Sequence, residues 1–130
     1  MSLTDEERRT TVRLQIEKAH KNFAQIELLS KAGYWDNVVN RLYYSLFHAV
    51  SAMLIRDGYN VSTHRGAVSA FGMHYVTTGI FEEGKHYSRL QGLREKSDYN
   101  CAYNAEEKEI APMIEPTRLM IEKIEKYIEN

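Results

Sequence analysis

The chain has 130 residues, 43% hydrophobic and 27% charged, with a formal net charge of −1: the profile of one ordinary globular domain spanning 1–130. Two prolines and seven glycines exclude collagen and a disordered tail, and the single cysteine, Cys101, excludes a disulfide framework or a cysteine-rich zinc site. No apolar run approaches the roughly 18 residues of a membrane span and no signal peptide opens the chain, so the expected setting is soluble and cytoplasmic, with no membrane partner.

Charge is uneven along the chain. Residues 1–36 carry six acids and six bases; residues 37–94 carry six bases against three acids and four of the five histidines; residues 95–130 carry nine acids against five bases. A basic middle permits a local anion site but is far from the footprint of a dedicated DNA binder.

Met1-Ser2-Leu3 reads as a cloning scar, and nothing rests on it. Thr4 with Glu7 is a capping-box pattern. Ile16, Ala19, Phe23 and Ile26 recur on one helical face, which predicts a first helix over 5–31 that stops before Gly33. Asp36 is the predicted cap of a second helix whose residues from Val38 to Leu54 are apolar nearly all round, the pattern of a central bundle helix ended by Gly58. Ser62 or Thr63 caps a third helix through Val68, Phe71 and Tyr75, stopping near Gly79. Residues 79–86 read as a turn, and a fourth helix follows over about 87–101 with Leu90, Leu93 and Ser97 inward. Asn104 with Glu107 caps the last helix, whose stripe of Ile110, Met113, Ile114, Thr117, Ile121, Ile124 and Ile128 is interrupted by Pro112 and Pro116. Each proline removes a backbone donor and crowds the preceding turn, which predicts a kink or a late start there. No β pattern competes. Short connections favour an all-α, antiparallel up-and-down bundle of four to five helices.

The chemistry concentrates on the second helix, in Asn40-Arg41-Leu42-Tyr43-Tyr44-Ser45-Leu46-Phe47-His48. Arg41, Tyr44 and His48 fall at i, i+3 and i+7 along one stripe, with Tyr43 and Phe47 on the next. Arg41 and His48 are roughly 10.5 Å apart along the axis, close enough for both side chains to reach one bound phosphate. His64 and Arg94-Glu95-Lys96-Ser97-Asp98-Tyr99 follow. An arginine on so apolar a helix needs a carboxylate or an anionic ligand, and Asp98 is the internal candidate, through an Arg41–Asp98 or an Arg94–Asp98 pair. His48 among aromatics is more often a hydrogen-bonded core histidine than a catalyst. Tyr43, Tyr44 and Phe47 suit core, interface or base stacking. His64 suits a capping or inter-helix bond. The histidines are scattered singly, so neither a metal nor another cofactor is expected. Cys101 reads as a small buried residue rather than a nucleophile.

Taken together, Gly33-Tyr34, Asn40-Arg41-x-Tyr43-Tyr44-x-x-Phe47-His48, Thr63-His64, Phe71, Thr78-Gly79 and Arg94-x-x-x-Asp98-Tyr99 resemble the HEPN domain (higher eukaryotes and prokaryotes nucleotide-binding), in its small stand-alone prokaryotic branch. The resemblance covers about residues 15–128. It implies a four- or five-helix bundle, often a homodimer, with nucleotide or RNA as ligand and a minimal nucleotidyltransferase as partner in toxin–antitoxin-like pairs. It also implies a set of ligand-binding or interface residues: Arg41, Tyr43, Tyr44, Phe47, His64, Arg94, Asp98 and Tyr99.

Many members of that family are metal-independent endoribonucleases with an Arg-x4–6-His motif. Arg41-x6-His48 satisfies the interval, with histidine as base and arginine as cation for the developing phosphorane charge. The family motif usually sits on a later helix, where Asp98 stands in the place of histidine. A carboxylate there is a weak base for a hydroxyl and repels phosphate. The sequence therefore favours a binding and interaction module, with the Arg41–His48 ribonuclease as the alternative.

Overall fold

Thr4 opens the first helix through two reciprocal bonds: its backbone N–H donates to Glu7 Oε1 at 2.9 Å, and the Glu7 N–H donates to Thr4 Oγ1 at 3.1 Å. The expected capping box is thus formed. The computed structural model describes residues 3–130, so the expectation for Met1 and Ser2 lies outside the described residues. Helix α1 spans Asp5–Phe23 and α2 spans Ile26–Lys31. A single helix over 5–31 was expected; instead the chain breaks at Ala24–Gln25. Asn22 Nδ2 donates to the Lys18 carbonyl and Gln25 Nε2 to that of Lys21, side-chain bonds that compete with the regular ladder. The break lets Ile26 turn into the core, where it is buried.

Helix α3, Trp35–Arg56, is the axis of the molecule. Leu42, Tyr43, Leu46, Ala49, Val50 and Met53 on it are fully buried, and Leu54 is 2% exposed. Each buried leucine contributes roughly 1.5–3 kcal/mol of apolar transfer. Helices α1, α5 and α7 all pack against α3, which is the arrangement its all-round apolar pattern requires. Its N-cap is Tyr34 rather than Asp36; Asp36 lies one residue inside the helix and accepts a bond from the Ala105 N–H at 3.3 Å, tying the 100–106 segment to the helix start. Gly58 follows at φ +84°, a left-handed conformation that lets the chain leave α3 without a Cβ penalty.

Thr63 caps α4 (His64–Phe71), its hydroxyl accepting from the Gly66 N–H at 2.9 Å. A Cβ on Gly66 would stand 2.7 Å from that hydroxyl, so glycine is what allows the cap to close. The helix continues as a π-helical turn over Gly72–Val76. Helix α5 begins at Gly84, three residues before the expected start, and ends at Tyr99. The last stripe is divided into α6 (Glu107–Ile110), a 3-10 turn over Ala111–Met113 that holds Pro112, and α7 (Ile114–Glu129), with Pro116 in the first turn of α7. That is the predicted late start, although the cap residue is Glu106 rather than Asn104. Among the described residues there is no strand: the chain is an all-α helical bundle.

Candidate functional site

Helix α3 presents Arg41, Tyr43, Tyr44, Phe47 and His48 toward α4 and α5, and those two helices bring His64 and Arg94 to the same place. Tyr43 lies fully buried at the base, its hydroxyl sharing a 2.7 Å hydrogen bond with His64 Nδ1. Burial pushes its hydroxyl up to about 12 against the opposing charge of Arg94, so the phenol stays protonated. The Phe47 and His64 rings are 4.6 Å apart between centroids, and Tyr44 lies 5.7 Å from His64. The four rings form one continuous aromatic surface.

Two arginines flank it. The Arg94 guanidinium sits 4.8 Å over the Tyr43 ring and 5.9 Å from that of Tyr44, and the residue is only 7% exposed. It pairs with Asp98 at 3.4 Å across one helical turn, so of the two pairings open to the sequence the structure forms Arg94–Asp98. Arg41 stands 5.9 Å over Tyr44 and donates through Nε to Asn40 Oδ1 at 3.1 Å. Among the described residues no carboxylate pairs with Arg41, because Asp98 is held by Arg94 on its own helix. Arg41 is therefore a half-buried cation whose partners are an amide and a ring.

His48 is half-buried beside Phe47, its Nδ1 lying 2.7 Å from Gln15 Oε1 on α1. An amide oxygen only accepts, so Nδ1 carries the proton and Nε2 keeps its lone pair. Burial holds the imidazole pKa below the ordinary histidine range, helped by the charges of Lys18, Arg41 and His64. The His64 pKa is lowered too, by burial first and by Arg94 second. Both rings are thus neutral near pH 7, and a neutral imidazole can accept a proton.

Two expected positions stand apart from this cluster. Tyr99, at the end of α5, is 80% exposed. Cys101 was expected to be buried, but it lies exposed in the turn beyond α5, where no helix face can cover it. Ser97 is half-buried, with its hydroxyl among the buried polar atoms that have no partner, as are Arg94 Nε, Gln91 Nε2 and Tyr87 Oη on the same helix. Among the described residues no three His, Cys, Asp or Glu side chains gather in a way that could hold a metal ion. No helix is long and apolar enough to cross a membrane.

The sequence reading missed Gln15 and Lys18. Gln15 follows buried Val12 by three residues and precedes buried Ala19 by four, so its spacing already put an amide on the core-facing side of α1. The reading also missed a cleft of about 260 Å³ beside Phe47 and His64, bounded by α1, α3 and the loop of residues 59–63.

Comparison with known proteins gives a consistent picture. The HEPN domain family model matches residues 12–127. A UPF0332 protein of Thermotoga maritima is 35% identical over 115 residues, covering 87% of each chain. A Methanocaldococcus jannaschii protein named "Putative toxin MJ0605" is 28% identical over 131 residues, 99% of this chain and 97% of that one. A UPF0332 protein of Archaeoglobus fulgidus is 31% identical over 99 residues, 75% of this chain and 78% of that one.

Proposed function

The chain belongs to the HEPN family, and from that premise we propose that it is a toxin-like HEPN module whose α3–α4–α5 face binds the phosphate of a nucleotide or RNA. In this reading it works as a homodimer and as the partner of a minimal nucleotidyltransferase. The observation that carries the binding role is Arg41: a cation on an aromatic face, with Arg94 nearby and no carboxylate paired to it. Every other strong positive charge in the cluster is matched, since Arg94 has Asp98. An unmatched guanidinium beside stacked rings is the chemistry that receives phosphate and base together. The pairing with a nucleotidyltransferase rests on the family resemblance and on the toxin designation of the Methanocaldococcus relative.

Titration of labelled single-stranded RNA at several salt concentrations tests the binding role. Arg41→Ala should weaken binding about tenfold and reduce the salt slope by about 1, with the melting temperature unchanged because no ion pair is lost. Equal affinity of wild type and Arg41→Ala would overturn it.

One observation favours the ribonuclease alternative: His48 is held neutral, with Nδ1 anchored on Gln15 and the Nε2 lone pair available as a base near Arg41. Its test is RNA cleavage in EDTA. Under that reading His48→Ala lowers the rate by about 10²–10⁴-fold while RNA affinity persists. Absence of cleavage by the wild-type protein leaves the binding module standing and removes the enzyme.

A further inference from the structure

The phosphate face has a neighbour of different character. The cleft of about 260 Å³ shares Gln15, Phe47 and His64 with the cluster, then runs under Tyr59 and the exposed loop to Thr63. Its floor is apolar, with Leu54 and Ala67 buried. Hydrogen-bonding groups of Ser51, Asn60 and Ser62 stand around it. No lysine, arginine, aspartate or glutamate lines it. A neutral, amphipathic slot is a poor place for phosphate and a good one for a flat, uncharged ring that stacks on one face and bonds at its edge. Its volume lies at or below the small end of ligand pockets, which run roughly 300–1,000 Å³, so it has room for one heterocycle rather than a whole nucleotide.

Resting on the phosphate-binding reading, we propose that this cleft is a base-binding subsite: the heteroaromatic base of a nucleotide enters it against Phe47 and His64 while its phosphate stays outside at Arg41. The layout fits that division. Tyr44 bridges the two parts, 5.9 Å from the Arg41 guanidinium and 6.2 Å from the Phe47 ring. Arg41 and Phe47 are six residues apart on α3, about 9 Å along the axis, part of which the arginine side chain spans. The base would come from a free nucleotide or from single-stranded RNA; both offer the same ring and phosphate.

The experiment compares ligands with and without a base. AMP and CMP are measured against ribose 5-phosphate by calorimetry, and a short single-stranded RNA against its abasic counterpart. Wild-type protein should bind the base-bearing member of a pair about tenfold tighter, the scale of one stacked base. Ser51→Leu, which projects into the cleft, should erase that preference while leaving affinity for ribose 5-phosphate unchanged. Asn60→Trp on the exposed loop blocks the same opening without touching the core, and serves if Ser51→Leu fails to fold. A preference in the nucleotide pair or in the RNA pair supports the subsite and identifies its source. No preference in either pair, or a preference that survives both blocking variants, overturns it. Arg41→Ala separates the two readings: it should weaken every phosphate-bearing ligand alike. Retention of that effect without any base preference would sink the cleft and leave the phosphate site intact.

Discussion

Arg41, Arg94 and Asp98 illustrate how far single residues could be read. Residue type already demanded partners for both arginines, because a guanidinium on an apolar helix cannot stay without them. Which arginine would hold Asp98 depended on distances between helices, and the i,i+4 geometry within α5 decided for Arg94. The histidines were legible as polar groups in apolar surroundings but not as neutral ones, since their neighbours come from other helices. That neutrality has a consequence for stability. Burial depresses the folded-state pKa of His48, His64 and His86, while in the unfolded chain they titrate in the ordinary histidine range. Between those two values the unfolded state binds more protons, so stability rises with pH. The full contribution is present above the unfolded pKa, near 6.5, and is lost as pH falls through the folded values. Thermal melts from pH 7.5 to 5 should show a falling midpoint, and His48→Gln should flatten the fall. A midpoint independent of pH in that window would contradict the assignment.

At the scale of elements, apolar periodicity located every long helix but misjudged several ends. Asp36 and Asn104 have the right chemistry for caps, yet Tyr34 and Glu106 occupy those positions. Asp36 instead binds the Ala105 N–H, a contact 69 residues away that no local pattern contains. The end of α3 shows the same dependence on distant partners. Asp57 accepts from Tyr75 Oη at 2.7 Å and Tyr127 Oη at 2.8 Å, joining α3, the π turn and α7, while Arg56 pairs with it at 3.0 Å. Tyr75 is buried, and both burial and the Asp57 carboxylate raise its pKa. Asp57→Ala leaves two hydroxyls without their acceptor and should cost about 2 kcal/mol or more in urea unfolding. Asp57→Asn keeps one acceptor oxygen and should cost less. Equal stability of Asp57→Ala and wild type would show that the junction contributes nothing.

For the whole molecule, the central proposal is assembly. Leu28, Met73 and Tyr99 are 74%, 64% and 80% exposed, more large apolar surface than the bundle itself uses. A homodimer should sediment at about twice the 15.1 kDa of one chain at micromolar concentration. A single species of one-chain mass would count against it. The phosphate face and the cleft lie within one chain, so RNA binding and the base preference should persist in a monomeric variant.

The sequence by itself determined the all-α class, the central place of α3 and the aromatic, cationic stripe upon it, because these follow from periodicities carried within one helix. It also determined that the last stripe would be interrupted, since proline acts on its own turn. Tertiary structure alone decided the break between α1 and α2, the choice of Arg94 for Asp98, the anchoring of His48 by Gln15 and the cleft beside Phe47. Each of those depends on where a second helix lies, and the position of a neighbour is set by packing of the whole core rather than by any local spacing.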